Sequence, residues 1–148
     1  MIDIEKIKKE IYSLPNYNYQ GQFILQGVEG QTDLNYGVGK SIHLDHEEKE
    51  FTYPLYNLPY TNSIIEMLGM YRTRVMCMKP KTCYSMHQDY TKRLHIPLEA
   101  DWEKCFMLVG DGIIKMKPDG NYYEVDTTKV HTAVNASKEI RTHIVGLF

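Results

Sequence analysis

Residues 71–98 read YRTRVMCMKPKTCYSMHQDYTKRLHIPL, and the way their side chains alternate decides the fold class. Val75 and Cys77 interleave with Met76 and Met78, so both sides of the segment are apolar, as in a strand covered on its two faces. The methionines need no cofactor to explain them. Three strands are predicted here: Tyr71–Lys79, Tyr84–Tyr90 and Arg93–Leu98. Downstream, Cys105–Val109, Ile113–Lys117, Tyr122–Val125 and Ile140–Phe148 read the same way, separated by turns such as Asp111-Gly112 and Pro118-Asp119-Gly120.

Upstream the periodicity changes. Ile4, Ile7, Ile11 and Leu14 recur at helical spacing, predicting a helix over Asp3–Leu14 that Pro15 ends. A second short helix is expected from Asn62 to Leu68, with Thr61 as its cap and Gly69 just past its end. Between them lies a glycine-punctuated loop from Gly27 to Gly39. No repeat, low-complexity tract or linker divides the chain, so residues 1–148 are expected to form one domain, a β-sandwich or barrel with a helical N-terminal layer.

Composition narrows the classes. Of 148 residues, 43% are hydrophobic and 24% charged, which fits a globular protein better than a disordered one. No segment is apolar for the ~18 residues a bilayer span needs, and the acidic start lacks the pattern of a secretory signal. Three cysteines, Cys77, Cys83 and Cys105, cannot all pair within the chain and form no Cys-x-x-Cys. A cytoplasmic location with reduced thiols is the expectation. A net charge of −2 argues against nucleic acid as a partner. The charge is uneven, however: Arg72, Arg74, Lys79, Lys81, Lys92 and Arg93 cluster in one stretch, either as a solvated strand face or as a positive mouth for a small anion.

His87-Gln88-Asp89, followed by His131, carries the chemistry. On a strand, residues two apart share a face, so His87 and Asp89 can hold one ion together. A second imidazole from a distant strand would complete a two-histidine, one-carboxylate face suited to Fe(II), with positions open for a cosubstrate and dioxygen. The triplet alone is weak, because about 0.8 His-x-Asp/Glu triplets are expected by chance and the chain has three. His43-Leu44-Asp45 and His46-Glu47-Glu48 sit in an acidic run that should face water. The frame of His131 is distinguished by Arg141, ten residues on, at the start of an apolar terminal strand. A guanidinium projecting inward there needs an anion, and a carboxylate fits its fork. That points to a dicarboxylate cosubstrate. His143 shares the face of Arg141, as a ligand contact or a hydrogen-bonding support.

The run from Arg72 to Phe148 resembles the aspartyl/asparaginyl β-hydroxylase-type group of iron(II)- and 2-oxoglutarate-dependent oxygenases, through His87-Gln88-Asp89, Arg93-Leu94-His95-Ile96-Pro97-Leu98, Asp126-Thr127, His131, Asn135 and Arg141. The resemblance implies a double-stranded β-helix, the jelly roll of cupins, with the metal between its sheets. It also implies that His87, Asp89 and His131 bind iron, that Arg141 holds the distal carboxylate of 2-oxoglutarate, and that Arg93 and His95 line the cosubstrate pocket. Some members lack the metal-binding carboxylate, whereas Asp89 is present here. The first 70 residues carry none of these motifs and are where substrate selection should reside.

The activity implied is hydroxylation of a C–H bond, in an amino-acid side chain that is free or peptide-borne, with succinate and carbon dioxide as coproducts. The alternative is a cupin-like protein that binds a metal and a small acid without oxidation. Trp102, Tyr53, Tyr56 and Tyr60 are expected to pack in the core rather than wall a substrate site, and Asn135 to brace the loop carrying His131.

Overall fold

A computed structural model describes residues 1–148. Two helices precede most of the sheet: α1 (Ile4–Tyr12) and α2 (Pro59–Met67). The strands are β1 (Gly21–Ile24), β2 (Gln26–Gly27), β3 (Tyr53–Pro54), β4 (Tyr71–Met78), β5 (Thr82–Cys83), β6 (Arg93–Glu99), β7 (Cys105–Val109), β8 (Gly112–Ile114), β9 (Tyr123–Val125), β10 (His131–Asn135) and β11 (Arg141–Leu147). A five-stranded sheet runs β1-β4-β11-β6-β9, and a four-stranded sheet runs β5-β10-β7-β8. Every pairing is antiparallel, with β2 and β3 forming a separate ribbon. This is the jelly roll expected from the alternating half of the chain, with helices packed outside it.

Strand alternation divides the large sheet into two unlike faces. On the outer face Val75, Ile144 and Ile96 lie in register across β4, β11 and β6, and with Cys77, Leu94 and Leu98 they pack against Ile7, Ile11, Ile64 and Ile65 of the helices. The inner face carries Arg74, Met76 and Met78 on β4, Arg141, His143 and Val145 on β11, and Arg93, His95 and Pro97 on β6. Between the sheets a smaller apolar cluster of Met78, Met107, Val109, Met116, Val125 and Ala133 fills one part of the interior.

α1 is capped by Asp3, whose carboxylate accepts from the Lys6 amide at 3.1 Å. α2 begins earlier than its sequence pattern suggests. Pro59 occupies its first turn, where a missing N–H costs nothing, and Thr61 is inside the helix rather than at its cap. The cap comes from the other helix: the Glu10 carboxylate accepts from the Tyr60 and Thr61 amides at 2.9 and 2.8 Å and from the Thr61 hydroxyl at 2.7 Å. A remote carboxylate thus does what a local one usually does. Gly69 sits just past the end of α2 at φ +63°, the left-handed conformation expected of it.

Other expectations shift as well. The predicted strand Tyr84–Tyr90 forms no continuous ladder: it meets β10 where the Tyr84 amide donates to the Ala133 carbonyl and the Thr132 hydroxyl donates to the Tyr84 carbonyl, and again at a bridge between His87 and His131. It lies at the edge of the smaller sheet with Tyr84–Gln88 exposed, so little apolar burial is available to fix a longer ladder. β8 spans Gly112–Ile114 rather than reaching Lys117. The sequence alternation marks neither β10 nor β1. Tyr56 and Tyr60 pack against the helical core as expected, but Tyr53 is half exposed and Trp102 stacks under the Lys117 ammonium, 5.6 Å from its ring centroid. No helix is long and apolar enough to cross a membrane.

Candidate metal centre

The edge segment and β10 run antiparallel, with the His87 and His131 amides exchanging bonds with each other's carbonyls at 3.0 and 2.9 Å, and the Asp89 amide donating to the Thr127 carbonyl at 2.9 Å. This pairing places two imidazoles side by side, ring centroids 4.3 Å apart, with the Asp89 carboxylate facing both. The donor atoms of His87, Asp89 and His131 all lie within 4.8 Å of one another. Asp89 Oδ1 is 4.0 Å from His87 Nε2, and its Oδ2 is 3.6 Å from His131 Nε2. Gln88 turns the other way and donates to the Thr128 carbonyl at 2.9 Å.

Each imidazole is oriented by the backbone two residues before it. His87 Nδ1 donates to the Ser85 carbonyl at 2.8 Å and His131 Nδ1 to the Lys129 carbonyl at 2.9 Å. That assignment puts the proton on Nδ1 and leaves the Nε2 lone pair free on the side of Asp89, the arrangement that metal-binding histidines use. The donor set, two nitrogens and a carboxylate, suits a divalent first-row transition metal with positions open for other ligands. The residues therefore fit an iron(II) centre.

Beside this centre the inner wall is cationic. The chain has four arginines, Arg72, Arg74, Arg93 and Arg141, and all four are buried. Arg93 Nη2 lies 3.7 Å from Asp89 Oδ2, and its Nη1 donates to the Thr91 carbonyl at 3.1 Å and to the Thr91 hydroxyl. Thr127 donates to the same Thr91 carbonyl at 2.6 Å, which ties the turn between β9 and β10 to the turn before β6. Arg72, at φ +46°, pairs with Glu48 at 2.5 Å and donates to the carbonyls of Gly37 and Gly39. It fastens the glycine loop and the acidic run to the barrel, so Glu48 of that run does not face water as expected, although His43, Asp45 and His46 do.

Deeper in, Arg141 donates from Nη2 to His143 Nδ1 at 3.0 Å and approaches the Met78 thioether at 3.9 Å, with no carboxylate in salt-bridge range. Because a guanidinium only donates, His143 Nδ1 is an acceptor, and His95 Nδ1, 3.2 Å from it, must carry the proton between them. His143 Nε2 then bears a hydrogen that has no partner. Burial, with the Arg141 charge next in weight, pushes both His95 and His143 well below the usual histidine value, so both are neutral at pH 7. Arg141 and His143 line a small cavity with Met107, Ile114 and Met116 of the opposite layer. A buried guanidinium bonded only to an imidazole and a thioether, next to an orphaned N–H, is a donor set that lacks an anion. A carboxylate meets that need.

The sequence-derived residues are thus brought together: His87, Asp89 and His131 in one cluster, Arg93 against it, and His95, His143 and Arg141 in one hydrogen-bonded row. Asn135 braces a different place from the one expected. Its amide donates to the carbonyls of Met78 and Glu139 at 3.0 and 2.8 Å, and its oxygen accepts from Ser137, so it fixes the turn after β10 rather than the approach to His131. Arg74 sits among exposed lysines in the basic stretch, and its phase with Met76 and Met78 on β4 is the one sequence signal that it turns between the sheets.

Among solved structures, the chain is similar to a protein from Photorhabdus luminescens, at 13% identity over 51% of this chain and 60% of that one, TM-score 0.43. It is similar also to a cupin superfamily protein from Desulfitobacterium hafniense, at 14% identity over 51% and 65%, TM-score 0.41. A cupin domain from Bordetella pertussis matches at 12% identity over 51% and 77%, TM-score 0.43. The matched part spans less than two thirds of the first two of these proteins. A comparison with curated proteins finds no match. The family model for aspartyl/asparaginyl beta-hydroxylase, in contrast, matches residues 3–146, reaching through the N-terminal part in which no motif was legible. The chain belongs to the aspartyl/asparaginyl β-hydroxylase family.

Proposed function

We propose that this protein is an Fe(II)- and 2-oxoglutarate-dependent dioxygenase that hydroxylates a C–H bond, in an amino-acid side chain that is free or peptide-borne. The observation that carries the reading is a pairing: a two-histidine, one-carboxylate cluster at the edge of the smaller sheet, and a buried guanidinium without a counterion on the inner face of the larger one. Family membership supports the hydroxylase class. Iron with 2-oxoglutarate and dioxygen would supply the oxidising chemistry: one oxygen atom would end in succinate as carbon dioxide is lost, and the other would be inserted into the substrate C–H bond.

The protein's own residues prepare that chemistry. His87, Asp89 and His131 would hold the metal through Nε2 and carboxylate oxygens already turned toward one point. Arg93, with Nη2 beside Asp89 Oδ2, fixes the orientation of that carboxylate. Arg141, with the Nε2–H of His143, would bind the far carboxylate of the cosubstrate, and His95 holds His143 in the tautomer that makes this donation available. Facing sheets and the methionine-rich filling between them keep water from the deep end. The three cysteines are unpaired, which supports a reducing compartment such as the cytoplasm.

The test is succinate formation. Purified protein incubated without oxygen with Fe(II) and 2-oxoglutarate, then exposed to air, should release succinate slowly even without its substrate, and His87→Ala should not. No succinate from the wild type, with a metal and an acid still bound, would favour a binding protein without oxidation.

A further inference from the structure

Met78 stands directly opposite Arg141 in the register of β4 and β11, on the inner face of the larger sheet. Its thioether lies 3.9 Å from Arg141 Nη1, and apart from His143 it is the guanidinium's only side-chain partner. Sulfur is a weak acceptor, so the contact leaves that N–H poorly satisfied. Met78 is 1% exposed and packs with Met107, Met116 and Val125 between the sheets. A leucine would fill the same space. What the methionine adds is a sulfur that can take up oxygen.

That reaction balances with a peroxide as the only co-reactant. A sulfur lone pair forms the new S–O bond as the O–O bond of hydrogen peroxide breaks; the sulfur is oxidised by two electrons to the sulfoxide, and the peroxide is reduced to water. Hydrogen peroxide is smaller than 2-oxoglutarate, so any opening that lets the cosubstrate reach Arg141 lets peroxide reach Met78. In most cores the product disrupts packing, because a polar oxygen is set among apolar groups. Beside Arg141 the new oxygen falls within hydrogen-bond reach of a buried guanidinium that lacks an anion. The Met78 backbone is held on one side by β11 and through its carbonyl by the Asn135 amide at 3.0 Å, so the oxidised residue stays opposite Arg141.

We infer that Met78 is an oxidation site whose sulfoxide oxygen occupies the Arg141 donor and so closes the pocket for the far carboxylate of 2-oxoglutarate. The closure rests on the assignment of the cosubstrate to Arg141; the pairing of the sulfoxide with Arg141 does not. The consequence is a brake on turnover when peroxide accumulates, in which the protein loses its cosubstrate before it loses its fold.

The test treats metal-free protein with hydrogen peroxide, removes the excess with catalase, and maps the oxidised methionines by peptide mass spectrometry, with the exposed Met67 as the reference for reagent. Thermal midpoints are then read without air, with and without Mn(II) and 2-oxoglutarate. Met78 should gain one oxygen. Its oxidation should leave the ligand-free midpoint of the wild type unchanged or raised, and lower that of Arg141→Met, where the oxygen has no donor. The 2-oxoglutarate requirement should rise at least tenfold once Met78 is oxidised, and change by less than twofold when Met78→Leu is treated alike. Met78→Gln, whose amide oxygen sits at a similar length, should weaken the 2-oxoglutarate response as much without any peroxide. The inference is wrong if Met78 stays unmodified when Met67 is fully oxidised, or if oxidation lowers the ligand-free midpoint equally in wild type and Arg141→Met. It is equally wrong if treated Met78→Leu loses the 2-oxoglutarate response as the wild type does, or, should Arg141→Met not fold, if Met78→Gln melts far below Met78→Leu. An untreated wild type with no response to 2-oxoglutarate removes the cosubstrate assignment and with it the closure, whereas a ligand-free difference between wild type and Arg141→Met keeps the Met78 site.

Discussion

Replacing Arg141 by Met tests the cosubstrate reading through two effects of opposite sign. Met has nearly the length of the arginine stem and would meet the apolar neighbours Met78, Met107 and Met116. In the ligand-free protein the substitution removes a buried charge that has no counterion, and exchanges of that kind are neutral or stabilising by about 1–4 kcal/mol. His143 loses one donor but keeps the bond from His95, so the free variant should melt no lower than wild type and up to several degrees higher. Ligand response should move the other way. Loss of a buried charge-assisted contact costs about 2–5 kcal/mol; taking about 2.8, the dissociation constant for 2-oxoglutarate rises about 100-fold. At a concentration 100 times the wild-type constant, the wild type gains about 2.7 kcal/mol from binding and the variant about 0.4. For a domain of this size those values correspond to about 5–11 °C and about 1–2 °C. The assay is a melting curve with Mn(II), with and without 2-oxoglutarate, in the absence of air. A variant that keeps the wild-type ligand shift refutes the role of Arg141, and one that is strongly destabilised without ligand refutes the claim that its charge is unpaired.

Asp89→Ala should abolish succinate release and weaken Mn(II) binding by at least tenfold, with the far-ultraviolet circular dichroism unchanged; metal affinity equal to wild type would contradict the cluster. His95 and His143 are neutral in the fold and free to take protons when unfolded, so the unfolded state binds more protons below the ordinary histidine value. Stability should be full above about pH 6.5 and fall on acidification by about 1.4 kcal/mol per pH unit for each histidine; urea titrations of wild type and His143→Phe between pH 7.5 and 5.5 check the slope, which should be shallower in the variant. Glu10→Gln should cost about 0.5–2 kcal/mol at pH 7 through the weakened cap on α2. Although burial alone would raise Glu10, the bonds from Thr61 and Tyr60 outweigh it and lower it, so the cap's contribution is complete above the usual carboxylate range and fades in acid. The difference between the two proteins should close there, and a gap that persists in strong acid would mean the cap is not electrostatic. Gly146→Ala should destabilise by about 1–3 kcal/mol, because a Cβ there would meet the Met70 methyl at 2.7 Å and Thr73 Oγ1 at 2.8 Å; an unchanged melting temperature would show that β4 and β11 can spread.

The strands that could be read from sequence are those whose faces differ in polarity or are apolar on both sides: β4, β6, β7 and β11 appear within a residue or two of expectation. β10 carries no such signal because its residues, His131-Thr132-Ala133-Val134-Asn135, mix polar and apolar groups without alternation, each answering to a different tertiary partner. The same reason hid the cap of α2, which is contributed by Glu10 some fifty positions away.

By itself the sequence determined the β-rich class and the outer helices, and it offered His87, Asp89, His131 and Arg141 as candidates, the first two through a two-residue spacing that is a local property. Only the tertiary structure decided that the edge segment and β10 bring two imidazoles to ring-centroid separation of 4.3 Å, and that Arg72 and Arg93 have carboxylates while Arg74 and Arg141 do not. Whether a buried charge has a partner depends on which strands face each other across the barrel, and no local pattern encodes that.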